Sequence, residues 1–146
     1  MEGELHFTRG RGTTSLFWPN QRAIMTWGRS SEVSVSRRVP VDTIDAWARR
    51  EDIGPIEVFK LDIQAGELLA LHAADRTLRQ EILVVYTEVF FNPMYEGGAL
   101  FSEIDLLLRE RGFLLYDIYK PAVDSRGMLL NANPIYLHGV RLGFSA

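Results

Sequence analysis

The sequence predicts an α/β fold that contains part of a doubly wound sheet and ends in an antiparallel hairpin. Two near-continuous apolar runs, IEVFKLDI and EILVVYTEVFF, are typical of strands that helices cover on both faces. Helical patterns separate these runs, and two strand patterns near the C-terminus follow each other without a helix. From residue 42 the predicted order is therefore helix, strand, helix, strand, helix, strand, strand, as in the second half of such a sheet.

Length and composition are those of an ordinary globular domain. The 146 residues favour a single domain, residues 1–146, with a core large enough to fold alone. We divide it into N-terminal strands and loops at residues 1–40 and an α/β part at residues 41–146. The net charge of −3 provides no basic field, so we expect no nucleic-acid partner.

The absence of cysteine excludes disulfides, thiolate metal sites and cysteine nucleophiles. It also suits a reducing compartment, and we expect a cytoplasmic protein. The N-terminal residues contain no apolar segment typical of a signal peptide. No uncharged apolar run approaches the roughly 20 residues that a membrane-spanning helix needs, so we expect no membrane contact.

The N-terminal segment has strand character at both ends. ELHFT and SEVSVSRRVPV alternate polar and apolar residues, and Pro40 would confine the second to a sheet edge. Between them, RGRG at residues 9–12 is typical of a surface turn. The aromatic stretch SLFWPNQRAIMTWG shows no clear periodicity, and no element is predicted for it.

Three helices are predicted in the α/β part. DTIDAWARR is a short helix with Asp42 as its N-cap, and a second helix extends from about residue 66 to residue 74. The third has Ser102 as its N-cap, Asp105 at the third helical position and Gly112 as its left-handed C-terminal cap.

The C-terminal hairpin is predicted from two strand patterns, FLLYDIYK and NPIYLHGV. The turn-rich sequence PAVDSRG lies between them. Because this connection is too short for a helical crossover, the two strands should pair antiparallel.

Four stretches together resemble the C-terminal half of an FkbM-type methyltransferase that depends on S-adenosylmethionine (SAM). They are VPVDTIDAW, EVFKLDIQAGELLALHAA, ILVVYTEVFFNPMYEGGALFSEIDLLLRERGF and GMLLNANPIYLHG, within residues 39–140. In the second stretch Lys60, Asp62, Gln64 and Glu67 match the family's pattern, whereas its glycine and alanine stand in swapped order. The resemblance implies a partial Rossmann-like sheet of the class I methyltransferases, and O-methyl transfer to a small-molecule or sugar-like hydroxyl.

The chain departs from this family where the cofactor should bind. Such methyltransferases bind SAM through a glycine-rich turn after the first strand, and a later acid holds the ribose hydroxyls. RGRG lacks the strand-turn-helix context of such a turn. The chain therefore resembles a family member that begins after its cofactor loop, a truncated domain, and we expect SAM to bind weakly or not at all.

Two carboxylates are the candidate catalytic residues. Asp62 follows the first apolar strand, and doubly wound folds place ligands at the carboxyl ends of their strands. It could orient or deprotonate an acceptor hydroxyl, or it could cap the next helix. Glu88 interrupts the second apolar run, where a carboxylate is costly to bury without a partner. It lies either at the mouth of the site or in an internal pair.

Four neighbours are candidate substrate-binding residues. Lys60 could pair with either carboxylate, and the resemblance places Gln64 beside Asp62. Glu67 suits the first turn of a helix, where the dipole alone favours a negative charge. Tyr95, in the loop NPMYEGG, is the tyrosine expected to line an acceptor pocket.

Other reactive residue types give weaker signals. The three histidines have no metal-ligand spacing, so no metal site is predicted. Ser15 and Ser102 lack the context of a nucleophile elbow, which argues against a hydrolase.

A second functional class stays open. The chain could be a non-catalytic α/β module that assembles through an exposed sheet edge, as a homodimer or with a missing N-terminal half. The strand EVFKLDI would provide that edge, unless the N-terminal strands cover it.

Overall fold

The computed structural model describes residues 1–10 and 12–144. Its N-terminal part is a separate two-stranded antiparallel sheet of β1 (Glu2–Thr8) and β2 (Val33–Pro40). Helix α1 (Gln21–Trp27) and a short 3-10 turn (Gly28–Ser31) lie between these strands in the chain. Both predicted N-terminal strands are thus confirmed, and they pair with each other.

In the part of the chain that the structure describes, the main sheet has five strands: β3 (Val58–Leu61), β4 (Val84–Thr87), β5 (Val89–Phe90), β6 (Phe113–Val123) and β7 (Leu129–His138). β3 and β4 are parallel. β7 pairs antiparallel with β4 and β5 along one side and with β6 along the other. The strands therefore lie in the order β3, β4 with β5, β7, β6. This arrangement confirms an α/β fold with a C-terminal antiparallel hairpin.

Within the described residues, four helices accompany this sheet: α2 (Ile44–Arg50), α3 (Glu67–His72), α4 (Asp75–Gln80) and α5 (Phe101–Glu110). The larger hydrophobic cluster joins the last three of these helices to the sheet through fully buried side chains such as Leu71, Leu78 and Leu108. A smaller cluster includes Ala23 of α1 and Tyr95. It joins the N-terminal segment to the rest of the chain. None of the described helices is long and apolar enough to cross a bilayer.

Two predicted helix caps are wrong. Thr43, not Asp42, is the N-cap of α2, because its hydroxyl accepts from the amide of Ala46. Leu100, not Ser102, precedes the first turn of α5. Glu103 accepts the Leu100 amide at 2.8 Å and thereby supplies half of a capping box. Asp42 instead accepts the Thr43 amide and pairs with Arg50, and in α5 the Glu103 side chain satisfies the amide at the start of the helix.

Three further elements differ from the prediction. Helix α1 forms in the stretch without clear periodicity, where the Asn20 side chain accepts from the Ala23 amide. The helix predicted at residues 66–74 stops at His72, and α4 follows after two residues. The long apolar run divides into β4 and β5 at Glu88.

The two outer strands of the main sheet differ in how their edges are protected. The free edge of β6 is interrupted by register irregularities, a left-handed Lys120 (φ 48°) and Pro121. β3 is regular and pairs with β4 alone among the described strands. The N-terminal strands do not pair with β3, so its edge remains open in the part of the chain that the structure describes.

Candidate functional site

The turn that connects β3 to α3, residues 62–66, has an unusual backbone. Gln64 and Ala65 have φ angles of 55° and 73°, in the left-handed region that residues with a Cβ atom rarely occupy. Such conformations persist where surrounding contacts hold them, and they concentrate at functional sites. Gly98 allows close packing here, because a Cβ atom at that position would lie 2.6 Å from the Ala65 Cβ.

Glu88 lies at the break between β4 and β5, and only 8% of its surface is exposed. Gln64 Nε2 and Asn131 Nδ2 each donate a hydrogen bond of 2.8 Å to a different carboxyl oxygen. Burial, reinforced by the nearby Asp62 charge, raises the pKa of Glu88 to about 7, although the Asn131 hydrogen bond opposes this rise. The carboxyl therefore changes its protonation state near neutral pH.

Tyr95 fixes the other end of the Gln64 side chain. Its hydroxyl donates to Gln64 Oε1 at 2.7 Å, and burial raises the pKa of Tyr95, which keeps the phenol protonated. The Gln64 amide is therefore oriented with its oxygen toward Tyr95 and its nitrogen toward Glu88. Tyr95 is buried, and its hydrogen bond holds the Gln64 side chain in this orientation.

Asp62 and Lys60 are the exposed members of the site. Their side chains are 51% and 60% exposed, with Lys60 Nζ 3.7 Å from Asp62 Oδ2. A longer contact of 3.4 Å joins Gln64 Nε2 to Asp62 Oδ1. Asp62 does not cap α3, since Gly66 is the N-cap and no side chain bonds there. Its carboxylate is thus accessible to solvent or to a ligand.

Glu67 occupies a different environment from Asp62. It is 1% exposed, and its Oε1 accepts the Ile63 amide at 2.8 Å. Burial is the largest effect on this group and raises the pKa of Glu67. The side chain predicted to bind substrate is therefore directed at the backbone of its own turn.

An open cleft of about 540 Å³ lies beside the turn. The N-terminal segment lines one side through Leu5, Gly12, Thr14, Ser15 and Leu16, and the turn lines the other through Asp62, Ile63, Gln64 and Gly66. Asp62 is the sole carboxylate among the described lining residues. Gly12 belongs to RGRG, and Arg11 lies outside the described residues.

The structure adds two residues that the sequence analysis does not assign to the site. Asn131 reaches Glu88 from β7, 43 positions along the chain, so no local pattern could reveal it. Ser15 lines the cleft and donates to the Gln64 carbonyl.

The arrangement suits orientation of a hydroxyl group. Asp62 presents an accessible carboxylate to a cleft with apolar side chains on both walls, and such a carboxylate can accept a hydroxyl proton. The side-chain amide of Gln64 contacts both Asp62 and Glu88 and so connects the buried carboxyl to the exposed one. Within residues 1–10 and 12–144, no group of three or more histidine, cysteine or acidic side chains could hold a metal ion.

Comparison with known proteins gives one family. Residues 4–115 match the model of the methyltransferase FkbM domain. This match begins well before residue 39, where the resemblance in the sequence begins, and it ends before β7. No curated protein and no solved structure matches the chain.

Proposed function

Because this chain belongs to the family of the FkbM methyltransferase domain, we propose that it binds the acceptor in an O-methyl transfer to a small-molecule or sugar-like hydroxyl. The observation that carries this proposal is the exposed carboxylate of Asp62 at the cleft. The strand order β3, β4, β7, β6 supports a Rossmann-like sheet of the class I methyltransferases.

In this proposal Asp62 is the catalytic residue. Its carboxylate would accept a hydrogen bond from the acceptor hydroxyl, orient it and take up its proton. Lys60 Nζ, 3.7 Å away, places a positive charge beside this carboxylate. Glu88 does not line the cleft and acts through Gln64, so it is a positioning residue. Tyr95 and Glu67 hold the turn in place.

SAM is the methyl donor that the family implies, and the described residues do not fit a complete SAM site. Recognition of the ribose hydroxyls needs a carboxylate in addition to the one that serves the acceptor. Asp62 is the single carboxylate among the described cleft residues, and one carboxylate cannot serve both groups. Oxygens of Glu67 and Glu88 already accept hydrogen bonds from the protein.

We therefore expect SAM to bind this chain weakly, with a dissociation constant near or above about 1 mM. Each missing hydrogen bond to a charged group costs roughly 1.5–3 kcal/mol, or about a tenfold to a hundredfold loss of affinity. Titration calorimetry with SAM measures this directly. A micromolar dissociation constant would show that the chain contains a complete donor site.

Activity is tested separately from affinity. The chain is incubated with millimolar methyl-labelled SAM and a panel of alcohols, phenols and monosaccharides, and label transfer is measured. Transfer that requires Asp62 supports the proposal. SAM binding without transfer to any hydroxyl would count against an acceptor role.

The second candidate function is a non-catalytic module that pairs through the β3 edge. Backbone carbonyls of Glu57 and Leu61 accept amides from the β4 side. Because strand residues alternate in direction, the amides of Val58 and Lys60 point to the open edge. Val58 is 62% exposed. An open, regular edge favours association with a second copy of this chain across a twofold axis.

This alternative predicts a homodimer that depends on the Val58 amide. Val58→Pro removes that outward amide, so the variant should be monomeric by light scattering, while Val58→Ala keeps the amide and should remain dimeric. Circular dichroism checks that both variants are folded. A monomeric parent chain would contradict the alternative.

A further inference from the structure

Ser15 occupies a fixed position between β1 and the turn after β3. It is 1% exposed and lies in the segment that leads from β1 to α1. The His6 amide donates to the Ser15 carbonyl at 2.8 Å, and the Ser15 amide donates to the His6 carbonyl at 3.2 Å. These two bonds attach the backbone of Ser15 to the N-terminal sheet.

The Ser15 hydroxyl has a defined direction. Its oxygen accepts the Phe17 amide at 2.9 Å, and the hydroxyl donates its proton to the carbonyl of Gln64. The hydroxyl has a single proton, and the Phe17 amide already occupies one acceptor position on the oxygen. The bond to Gln64 is thus a directed link from the N-terminal segment to the turn.

The Ser15 hydrogen bond reaches the turn at Gln64, where the backbone conformation is unfavourable. Gln64 and Ala65 both have positive φ angles, which cost energy for residues with a Cβ atom and persist only where contacts hold them. The Gln64 side chain then connects the same residue to Glu88 and Tyr95. A change in the backbone of Gln64 would therefore move its side-chain amide, which donates a hydrogen bond to Glu88.

We propose that Ser15 is a positioning residue, whose hydroxyl holds the left-handed turn at Gln64 and Ala65 and thereby keeps the Gln64 amide on the Glu88 carboxyl. Its effect on acceptor binding rests on the proposed methyl transfer. Its effect on Glu88 follows from the contacts alone and is tested without methyl transfer.

Loss of the Gln64 hydrogen bond would change the balance of groups around Glu88. The neighbouring carboxylates Asp62 and Glu67 disfavour its charged form, and Lys60 favours it. Without Gln64, Asn131 would be the remaining described side-chain donor to Glu88. The charged form would lose a donor, so Glu88 would hold its proton to a higher pH.

The experiment compares Ser15→Ala with Ser34→Ala. Ser34 is an exposed serine whose hydroxyl donates to the Phe7 carbonyl within the N-terminal sheet, so it makes a matched control. Carbon-13 NMR of the glutamate carboxyls follows the titration of Glu88. In Ser15→Ala the Glu88 midpoint should rise by about one pH unit, as expected for one lost bond to a charged acceptor. In Ser34→Ala it should not move.

A rescue variant separates positioning from general loosening. Glycine adopts positive φ angles without steric cost, so Ala65→Gly in the Ser15→Ala background should return the midpoint toward that of the parent chain. Loosening of the whole segment would not be corrected by one more glycine. If Ser15→Ala does not fold, Ser15→Cys, of similar shape but a weak donor, replaces it.

An unchanged Glu88 midpoint in folded Ser15→Ala would overturn the proposal, as would failure of both Ser15 variants to fold. A lack of methyl transfer in the parent chain would remove the proposed function instead. That result would leave the titration experiment valid.

Discussion

Replacing Glu88 by glutamine is expected to weaken the pH dependence of the free energy of unfolding between about pH 4.5 and pH 7. The pKa of Glu88 rises from 4.5 to about 7 in the folded chain, so the folded state holds this proton more tightly. The resulting stabilisation is fully present below pH 4.5 and is lost as the pH rises through 7. Its size is about 3 kcal/mol.

Glutamine at position 88 has no proton to lose in this interval. It also meets two amide donors, Gln64 and Asn131, with a single acceptor oxygen. This mismatch should lower stability at every pH by a similar amount, so it leaves the slope unaffected. The diagnostic quantity is therefore the difference between two pH values for each protein.

Urea unfolding at pH 5 and pH 8 measures that difference. Stability of the parent chain should fall more between these values than stability of Glu88→Gln. Glu67, whose pKa burial also raises, adds a dependence of the same sign to both proteins. Glu96→Gln, a change of an exposed carboxyl on the Tyr95 loop, serves as the control. Equal slopes for the parent chain and Glu88→Gln would contradict the position assigned to this carboxyl.

Replacing Asp62 by asparagine is expected to reduce methyl transfer by about a hundredfold or more, the usual effect of losing a general base. The substitution keeps the shape of the side chain and removes its charge. Its side chain is half exposed and does not cap α3, so the free energy of unfolding should change little. Label transfer from millimolar SAM and urea unfolding, measured on the same preparation, give the two quantities.

Asp117→Asn is the matched control, because Asp117 is an exposed aspartate on β6 whose Oδ1 accepts the Ile118 amide. It should leave label transfer unchanged. If Asp62→Asn unfolds, Asp62 has a structural role and the catalytic assignment is wrong. If it folds and transfers at the parent rate, another group takes the acceptor proton.

The strands of the main sheet could be predicted because their signals are local. The apolar run before Asp62 forms β3, as predicted. The two strand patterns near the C-terminus form the hairpin of β6 and β7. The positive φ of Gly112 (86°) agrees with its predicted place after α5. The alternation of polar and apolar residues and the residues that cap helices act over a few positions, so they can be recognised in the sequence.

The sequence placed Asp62 at the end of one apolar strand and Glu88 within the next, and it left open whether Glu88 faces the site or an internal partner. Both residues end or interrupt neighbouring parallel strands, and such strands bring their carboxyl ends to one edge of a sheet. Sequence could not distinguish their environments. Asp62 is exposed at the cleft, whereas Glu88 is buried and shares its oxygens between Gln64 and Asn131.

By itself, the sequence determined the α/β class, the C-terminal hairpin and the acidic residues near the end of β3. Only the tertiary structure decided which side chain each of these acids meets. The register of β7 places Asn131 beside Glu88, and the pairing of Ser15 with His6 places Ser15 beside the turn after β3. Those contacts join residues far apart in the chain, and they depend on packing rather than on propensity. Burial, and with it the raised pKa of Glu88, exists only after the chain has folded.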